Sequence, residues 1–341
     1  MLNTVYRLTA PRRFEEEFSD IDLFADEVIV RPTHLSICRS DERYYDGQRS
    51  AEVLKQKLPM ALIHEGIGDV LYDPTGEFHS GQTVVMVPNT PMEDDPIIAE
   101  NYLRSSKFRS SGYDGFMQEY VAMRRDRLVL LPEDIDKNVA AFTEIVSVSY
   151  HIINRFLVKS HERRERVGVW GDGNAAYITA MLLKKRLPNT ELFIFGIDER
   201  KMSDFVFADA TFNVSDIPQD MWLDHAFECV GGAASGTAIN QIIDYIKPEG
   251  TISLMGVSEE PVPINTRMVL EKGIQIYGSS RSGVQDFRDT VDLFEANADV
   301  TEYLGRIIGA VIPIRTIEDM SLAFDMDLQK GNGKTVMVWE I

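Results

Sequence analysis

Four side chains in this 341-residue sequence are of types that hold a metal and do chemistry on it: Cys38 in SICRSD, His64 and Glu65 in IHEG, and Glu144 in FTEIVSVSYH. Thiolate, imidazole and carboxylate are all zinc ligands, and a catalytic zinc takes three protein ligands and keeps one position open. Read singly, each is equally at home as a buried core residue, and ligands so far apart in sequence form no motif by spacing alone. The second chemical signal is Gly171-Asp172-Gly173-Asn174-Ala175-Ala176, a G-x-G-x-x-A run between the apolar RVGVW (166–170) and a helix-like stretch (178–185). Here Gly171 permits a tight turn, Gly173 has no Cβ to block a pyrophosphate, and Ala176 lets the helix lie close to the strand. The anion then rests on the N–H groups that open the helix.

The segment after the next apolar run bears on which dinucleotide is bound. An NAD site places Asp or Glu at the end of its second strand to hold the ribose 2′-OH. ELFIF (191–195) ends instead in Gly196, with Asp198, Glu199, Arg200 and Lys201 following. The glycine leaves space for a 2′-phosphate, and Arg200 or Lys201 supplies a cation for it, which favours NADPH. Asp198 as an NAD-type carboxylate is the rival, and the bland reading of Arg200 and Lys201 is that they solvate a helix start.

Two kinds of architecture must position these groups. Residues 26–31, 66–72, 83–88 and 118–123 are short, rich in Val and Ile, and bounded by Gly, Pro or Asp, so they read as strands of a mainly β region. Residues 89–115 form a long polar, turn-rich stretch of the kind that is usually functional or holds a lost sub-site. From about residue 139 the texture changes. Strands at 166–170, 191–195, 210–213, 225–229 and 250–255 alternate with helices at βαβ intervals, which implies a parallel sheet covered by helices. After residue 286 come an amphipathic helix carrying Phe287, Val291 and Phe294, and a last strand at 335–339. The expected division is a catalytic domain over 1–147 with a C-terminal return over 285–341, and a dinucleotide-binding domain over 148–284.

Composition excludes several classes. The 35 basic and 54 acidic residues give a net charge of −19, which disfavours nucleic acid and anionic membrane but not a local basic pocket for a phosphorylated ligand. Two cysteines rule out a disulfide scaffold and a four-cysteine zinc site. The start has no apolar leader, and the most apolar stretch, 140–158, is interrupted by Glu144, His151, Asn154 and Arg155, whereas a membrane helix needs about 20 mostly apolar residues. The expected location is the cytoplasm.

Taken in order, CRSD (38–41), HEG (64–66), YDGFMQEYV (113–121), the segment around Glu144, GDGNAA (171–176), ECVGG (228–232) and GNGKTVM (331–337) resemble the zinc-dependent medium-chain dehydrogenase/reductase family over essentially the whole chain. The resemblance implies an α/β protein: a GroES-like, mainly β catalytic domain plus a Rossmann domain with a doubly wound parallel sheet. It implies one catalytic zinc on Cys38, His64 and Glu144, with Glu65 as a fourth or exchanging ligand, as in the polyol dehydrogenases. It gives Ser40 the proton relay to the substrate oxygen and puts Tyr44 in the active site, where packing is its other reading. The structural zinc of many relatives is expected to be absent, because 89–115 contains no cysteine. Arg39 and Ile63 stand where relatives carry glycines, and Arg39 is either a cation beside the metal or a surface ion-pair partner.

Within the family the likeness is to members that reduce D-ribulose 5-phosphate with NADPH to D-ribitol 5-phosphate, for CDP-ribitol and wall teichoic acid synthesis. Such a substrate calls for arginine, with Arg39, Arg43 and Arg281 as candidates. The family also implies a homo-oligomer, dimer or tetramer, and an association with a cytidylyltransferase. Two other readings stand beside this one: an NAD-dependent polyol or alcohol dehydrogenase acting on an unphosphorylated substrate, and a zinc-free nucleotide-binding or sensing protein of the same fold.

Overall fold

Period-two burial organises the first strands. In the antiparallel hairpin of Leu2–Ala10 and Arg13–Asp20, Leu8 pairs with Phe14 and both face the core, while Glu15 and Glu17 on the alternate face stay partly in water. This hairpin goes unread in the sequence because charges crowd its outer face. The computed structural model describes residues 1–341, which cluster into two units, Met1–Ser147 with Ser282–Ile341, and Val148–Arg281.

The first unit is built on a seven-stranded sheet. Its order is Leu128–Leu130, Thr83–Met86, Glu65–Tyr72, Val28–Ser36, Lys334–Trp339, Ile308–Ile314, with Val121–Met123 also pairing to Val28–Ser36. Register matters most at the centre. Ser36 lies opposite Glu65 on one side and Val336 on the other, so the chain leaving Ser36, the start of Glu65–Tyr72 and the start of Lys334–Trp339 meet at one end of the sheet. Val5, Leu8, Val30, Leu35, Met86, Phe116, Phe324 and Trp339 fill the core beneath. The long polar stretch is not bare loop: Asn89–Thr90 pairs with Lys107–Phe108, and a 3₁₀ turn spans Glu100–Tyr102. Ser147 and Ser282, where the chain leaves and re-enters the unit, share a buried hydrogen bond of 2.7 Å.

The second unit is a six-stranded, wholly parallel sheet. Its strands run in space as Ala210–Asn213, Glu191–Gly196, Arg166–Trp170, Leu223–Glu228, Ile246–Leu254, Gln275–Gly278. Numbered within the unit this order is 3-2-1-4-5-6, the doubly wound dinucleotide-binding arrangement. Strands buried on both faces read as continuous apolar runs, which is why RVGVW and ELFIF are legible. Helices Asn174–Arg186 and Ser235–Tyr245 cover the sheet with Ile178, Met181, Leu182, Ile239 and Ile242 buried. No helix is long and apolar enough to cross a membrane.

Candidate active site

Cys38 caps the short helix Arg39–Tyr45, and its N–H reaches Asp41 Oδ2 at 3.3 Å. Its position is fixed from behind by the last strand: Ile37 N–H donates to the Thr335 carbonyl at 3.0 Å, and Lys334 Nζ donates to the Ile37 carbonyl at 2.7 Å. His64 follows Ile63, whose φ of 71° is left-handed and costly for a β-branched residue. That turn is held on both sides, by Ile63 N–H donating to Asp41 Oδ1 at 3.1 Å and by Phe116 N–H donating to the Ile63 carbonyl at 2.8 Å. The YDGF segment needs glycine because its backbone packs against that turn: a Cβ on Gly115 would lie 2.3 Å from the carbonyl oxygens of Leu62 and Ile63.

These supports bring Cys38, His64 and Glu65 together, with a ligand atom of each within 4.8 Å of the others. His64 Nδ1 faces Asp41 Oδ2 at 3.5 Å, the carboxylate–imidazole arrangement that orients a metal-binding histidine and leaves its other nitrogen for the ion. Glu65 is fully buried, and its Oε1 has no hydrogen-bond partner. Lys334 Nζ approaches Oε2 at 2.7 Å as an ion pair. A buried carboxylate with one unsatisfied oxygen beside a thiol and an imidazole suits a divalent cation, so the residues present fit zinc.

The electrostatics agree with a charged cluster. Burial pushes the Cys38 thiol up, against the pull of His64. Burial opposes charge on His64, yet Asp41 and Cys38 hold its pKa well above the ordinary value. Burial also opposes charge on Lys334, and Glu65 and Cys38 overcome it and raise the pKa.

Glu144 is not within this trio. It opens the helix Thr143–Lys159 and is buried. Its pKa is raised to about 7, chiefly by burial, with Glu65 repelling its charge while His64 and Lys334 favour it.

Ser40 lies on the same short helix as Arg39, Asp41 and Tyr44, and its Oγ accepts from Arg49 Nη2 at 3.0 Å. Tyr44 is buried at 4% exposure and packs in the core, with the Arg49 guanidinium 4.8 Å over its ring. Arg39 is 64% exposed and forms an ion pair with Glu42, so its charge is spent locally. Arg43 sits half-buried on that helix. Arg281, with a φ of 59°, ends the second unit.

The glycine loop has the geometry its spacing implies. Gly171 has a φ of 128°, and a Cβ there would meet the Cys229 carbonyl at 3.1 Å and Ala176 Cβ at 3.3 Å. Gly173 caps the helix Asn174–Arg186, and a Cβ on it would meet nothing within 4 Å, so the protein itself does not require glycine there. Ala176 is fully buried. The rival carboxylate, Asp198, and the neighbouring Asp172 both accept backbone hydrogen bonds. Asp198 caps Glu199–Met202 by accepting from the N–H groups of Arg200 and Lys201. Asp172 Oδ2 accepts from Ile197 and Asp198 N–H at 2.8 and 2.9 Å. A side chain at Gly196 would meet that oxygen at 3.0 Å. Arg200 is exposed and Lys201 partly so.

Against known proteins, residues 25–133 match the alcohol dehydrogenase GroES-like domain and residues 202–296 the zinc-binding dehydrogenase domain. The ribulose-5-phosphate reductase of Bacillus spizizenii is 54% identical over 341 residues, all of both chains. The chain belongs to the ribulose-5-phosphate reductase group of the zinc-binding dehydrogenases. Ribulose-5-phosphate reductase 1 of Staphylococcus aureus is 53% identical over 99% of each chain. The crystal structure of Staphylococcus aureus TarJ in complex with NADPH superposes with a TM-score of 0.91 at 48% identity, covering 100% of each chain. The GroES-like plus Rossmann architecture that the motif order implied is thus the fold of this chain.

Two partners in the site escape sequence reasoning. Lys334 lies inside GNGKTVM but carries no metal-site signature, and Arg49 falls outside every motif. Only the register of Lys334–Trp339 and the turn after Tyr45 bring them in.

Proposed function

We propose that this chain reduces D-ribulose 5-phosphate to D-ribitol 5-phosphate with NADPH, in a reaction that requires zinc. The observation that carries the reading is the buried Cys38–His64–Glu65 cluster, its Glu65 carboxylate ion-paired to Lys334 through Oε2 only, in a chain 54% identical end to end to a ribulose-5-phosphate reductase. A zinc held by Cys38, His64 and Glu65, with Glu144 as the remaining candidate ligand, supplies Lewis acidity toward a carbonyl oxygen, and NADPH supplies the hydride.

The protein's own residues do the rest. Asp41 fixes the His64 ring, and Lys334 balances the charge of Glu65. Ser40 would relay a proton from water to the substrate oxygen, losing its own and regaining one, and Arg49 Nη2 donates to that hydroxyl. Cofactor choice is supported by Gly196 and by the engagement of Asp198 as a helix cap, which favours the 2′-phosphate of NADPH. Arg200 and Lys201 are its candidate cations.

The product is the substrate for cytidylyl transfer to CDP-ribitol, which makes a cytidylyltransferase the expected downstream partner. The outer strand Gln275–Gly278 is the candidate edge for a homo-oligomer. The test is a matrix of D-ribulose and D-ribulose 5-phosphate against NADPH and NADH, with zinc measured on the same sample. The reading predicts turnover concentrated in the pentulose phosphate with NADPH and about one zinc per chain. Equal use of both pentuloses would overturn the substrate assignment.

A further inference from the structure

We infer that Ser110 is a positioning residue of the metal centre, acting on His64 through Asp41, an inference that rests on the zinc reading above. Ser110 lies in the long polar stretch 89–115, outside every motif that carries the family resemblance. It is 3% exposed, and its Oγ donates to Asp41 Oδ1 at 2.6 Å. Asp41 is itself fully buried, and its two oxygens do different work. Oδ1 accepts from Ser110 Oγ and from Ile63 N–H, the latter at 3.1 Å. Oδ2 accepts from Cys38 N–H at 3.3 Å and faces His64 Nδ1 at 3.5 Å. A carboxylate turns over a broad range about its last torsion unless partners fix it. The donors on Oδ1 therefore set where Oδ2 points, and Oδ2 is the oxygen that orients the imidazole. A hydroxyl on a charged carboxylate is one of the stronger neutral donors available for that task.

The backbone at Ser110 points the same way. Its φ is 58°, in the left-handed region that few side chains other than Asn and Asp adopt. Glycine would hold this conformation without strain; serine holds it at a cost and brings a hydroxyl to a buried acid. The turn is fixed independently of that hydroxyl. Ser110 N–H donates to the Tyr113 carbonyl at 2.9 Å, Ser111 N–H to the Phe108 carbonyl at 3.2 Å, and Lys57 Nζ to the Ser111 carbonyl at 2.8 Å. From the same turn Phe108 sets its ring 5.3 Å from the His64 ring, tilted by 56°. The stretch thus bears on His64 twice, directly on its ring and through Asp41 on its Nδ1 side.

The experiment compares wild type with Ser110→Ala and Ser110→Gly as full-length proteins. Both variants delete the hydroxyl, and only glycine also relieves the backbone. Zinc affinity is measured by competition with a chromophoric chelator, and urea midpoints are taken on the metal-free forms. Loss of an outer partner of a metal ligand predicts that the zinc dissociation constant rises roughly 10- to 100-fold. The rise should be alike in both variants, although the glycine variant has the higher urea midpoint. The visible bands of the cobalt-substituted variants should shift from those of wild type as the His64 ring loosens. Wild-type zinc affinity in Ser110→Gly would overturn the assignment, and so would a loss that follows the midpoint, large in alanine and small in glycine, which is the mark of a residue that serves the fold alone. If the alanine variant does not fold, affinity and cobalt bands in the glycine variant decide. A wild-type protein that takes up no zinc would sink the zinc reading itself; tight binding kept by wild type and by both variants sinks this inference alone.

Discussion

Glu65 and Lys334 form the most consequential pair at the scale of single residues. Both are buried, at 0% and 3% side-chain exposure, with Nζ and Oε2 2.7 Å apart. Two charges taken out of water cost more than their attraction returns unless each is fully compensated. Lys334 also donates to the Ile37 carbonyl next to Cys38, so the ammonium ties the thiol-bearing turn to the carboxylate. Lys334→Met leaves an uncompensated carboxylate in the interior. The expected loss is about 3–5 kcal/mol in protein stripped of metal by a chelator, and less in zinc-loaded protein, where the cation supplies the missing positive charge. Urea unfolding of the two forms of the variant, each against wild type, checks this; equal losses with and without zinc would show that Glu65 does not face the ion.

Elements explain why some of this was legible and some not. The parallel strands Arg166–Trp170 and Glu191–Gly196 announce themselves as apolar runs, and the loop between strand and helix by its glycines. Cys38 and His64 were recognisable only through the order of several weak motifs, since nothing in their spacing shows that Ser36 pairs with both Glu65 and Val336. Lys334 and Arg49 have no local signature, because their roles depend on that register and on the turn after a short helix. Glu144, a motif position the resemblance gives to the metal, is buried and is coupled electrostatically to His64, Glu65 and Lys334.

Gly115→Ala puts a Cβ 2.3 Å from the carbonyl oxygens that hold the His64 turn. It should cost about 2–3 kcal/mol, read as a lower urea midpoint, and should weaken zinc retention in the same sample; a wild-type midpoint would show that the turn yields freely. Gly196→Asp, the exchange that resembles an NAD site, sets a carboxylate against Asp172 Oδ2, 3.0 Å from the new Cβ. NADPH binding followed by fluorescence should fall without a gain for NADH, and a clean switch to NADH would contradict this account of Asp172.

Acid stability is a property of the whole molecule, and His225 bears on it from the heart of the parallel sheet. It is fully buried. Its Nδ1 accepts from Thr251 N–H at 3.2 Å and its Nε2 meets the Arg163 carbonyl at 3.0 Å, which fixes one neutral tautomer. His161 lies 4.2 Å away ring to ring and Phe156 packs edge-on at 5.1 Å. Burial first, then the His161 charge, lowers the His225 pKa to about 4, with Asp224 pulling the other way and Arg164 adding to the depression. Between the ordinary value near 6.5 and about 4, the unfolded chain takes up a proton that the folded chain refuses. Stability therefore falls as pH falls through that window, by about 3 kcal/mol from this group at its lower end. The net charge of −19 is relieved over the same range and acts in the opposite sense, so the comparison is with His225→Gln. That variant should lose stability at neutral pH and show a flatter decline between pH 6.5 and 4; an unchanged slope would mean that His225 titrates normally.

The proposed chemistry depends on a zinc gripped by one sulfur and by nitrogen and oxygen donors at the end of the first sheet. X-ray absorption at the zinc edge of the purified protein tests it without reference to any assay. The account predicts a single sulfur at about 2.3 Å with the remaining ligands nitrogen or oxygen at about 2.0–2.2 Å, and loss of the sulfur shell in Cys38→Ser. A shell without sulfur in the wild-type protein, or one unchanged by that substitution, would contradict it.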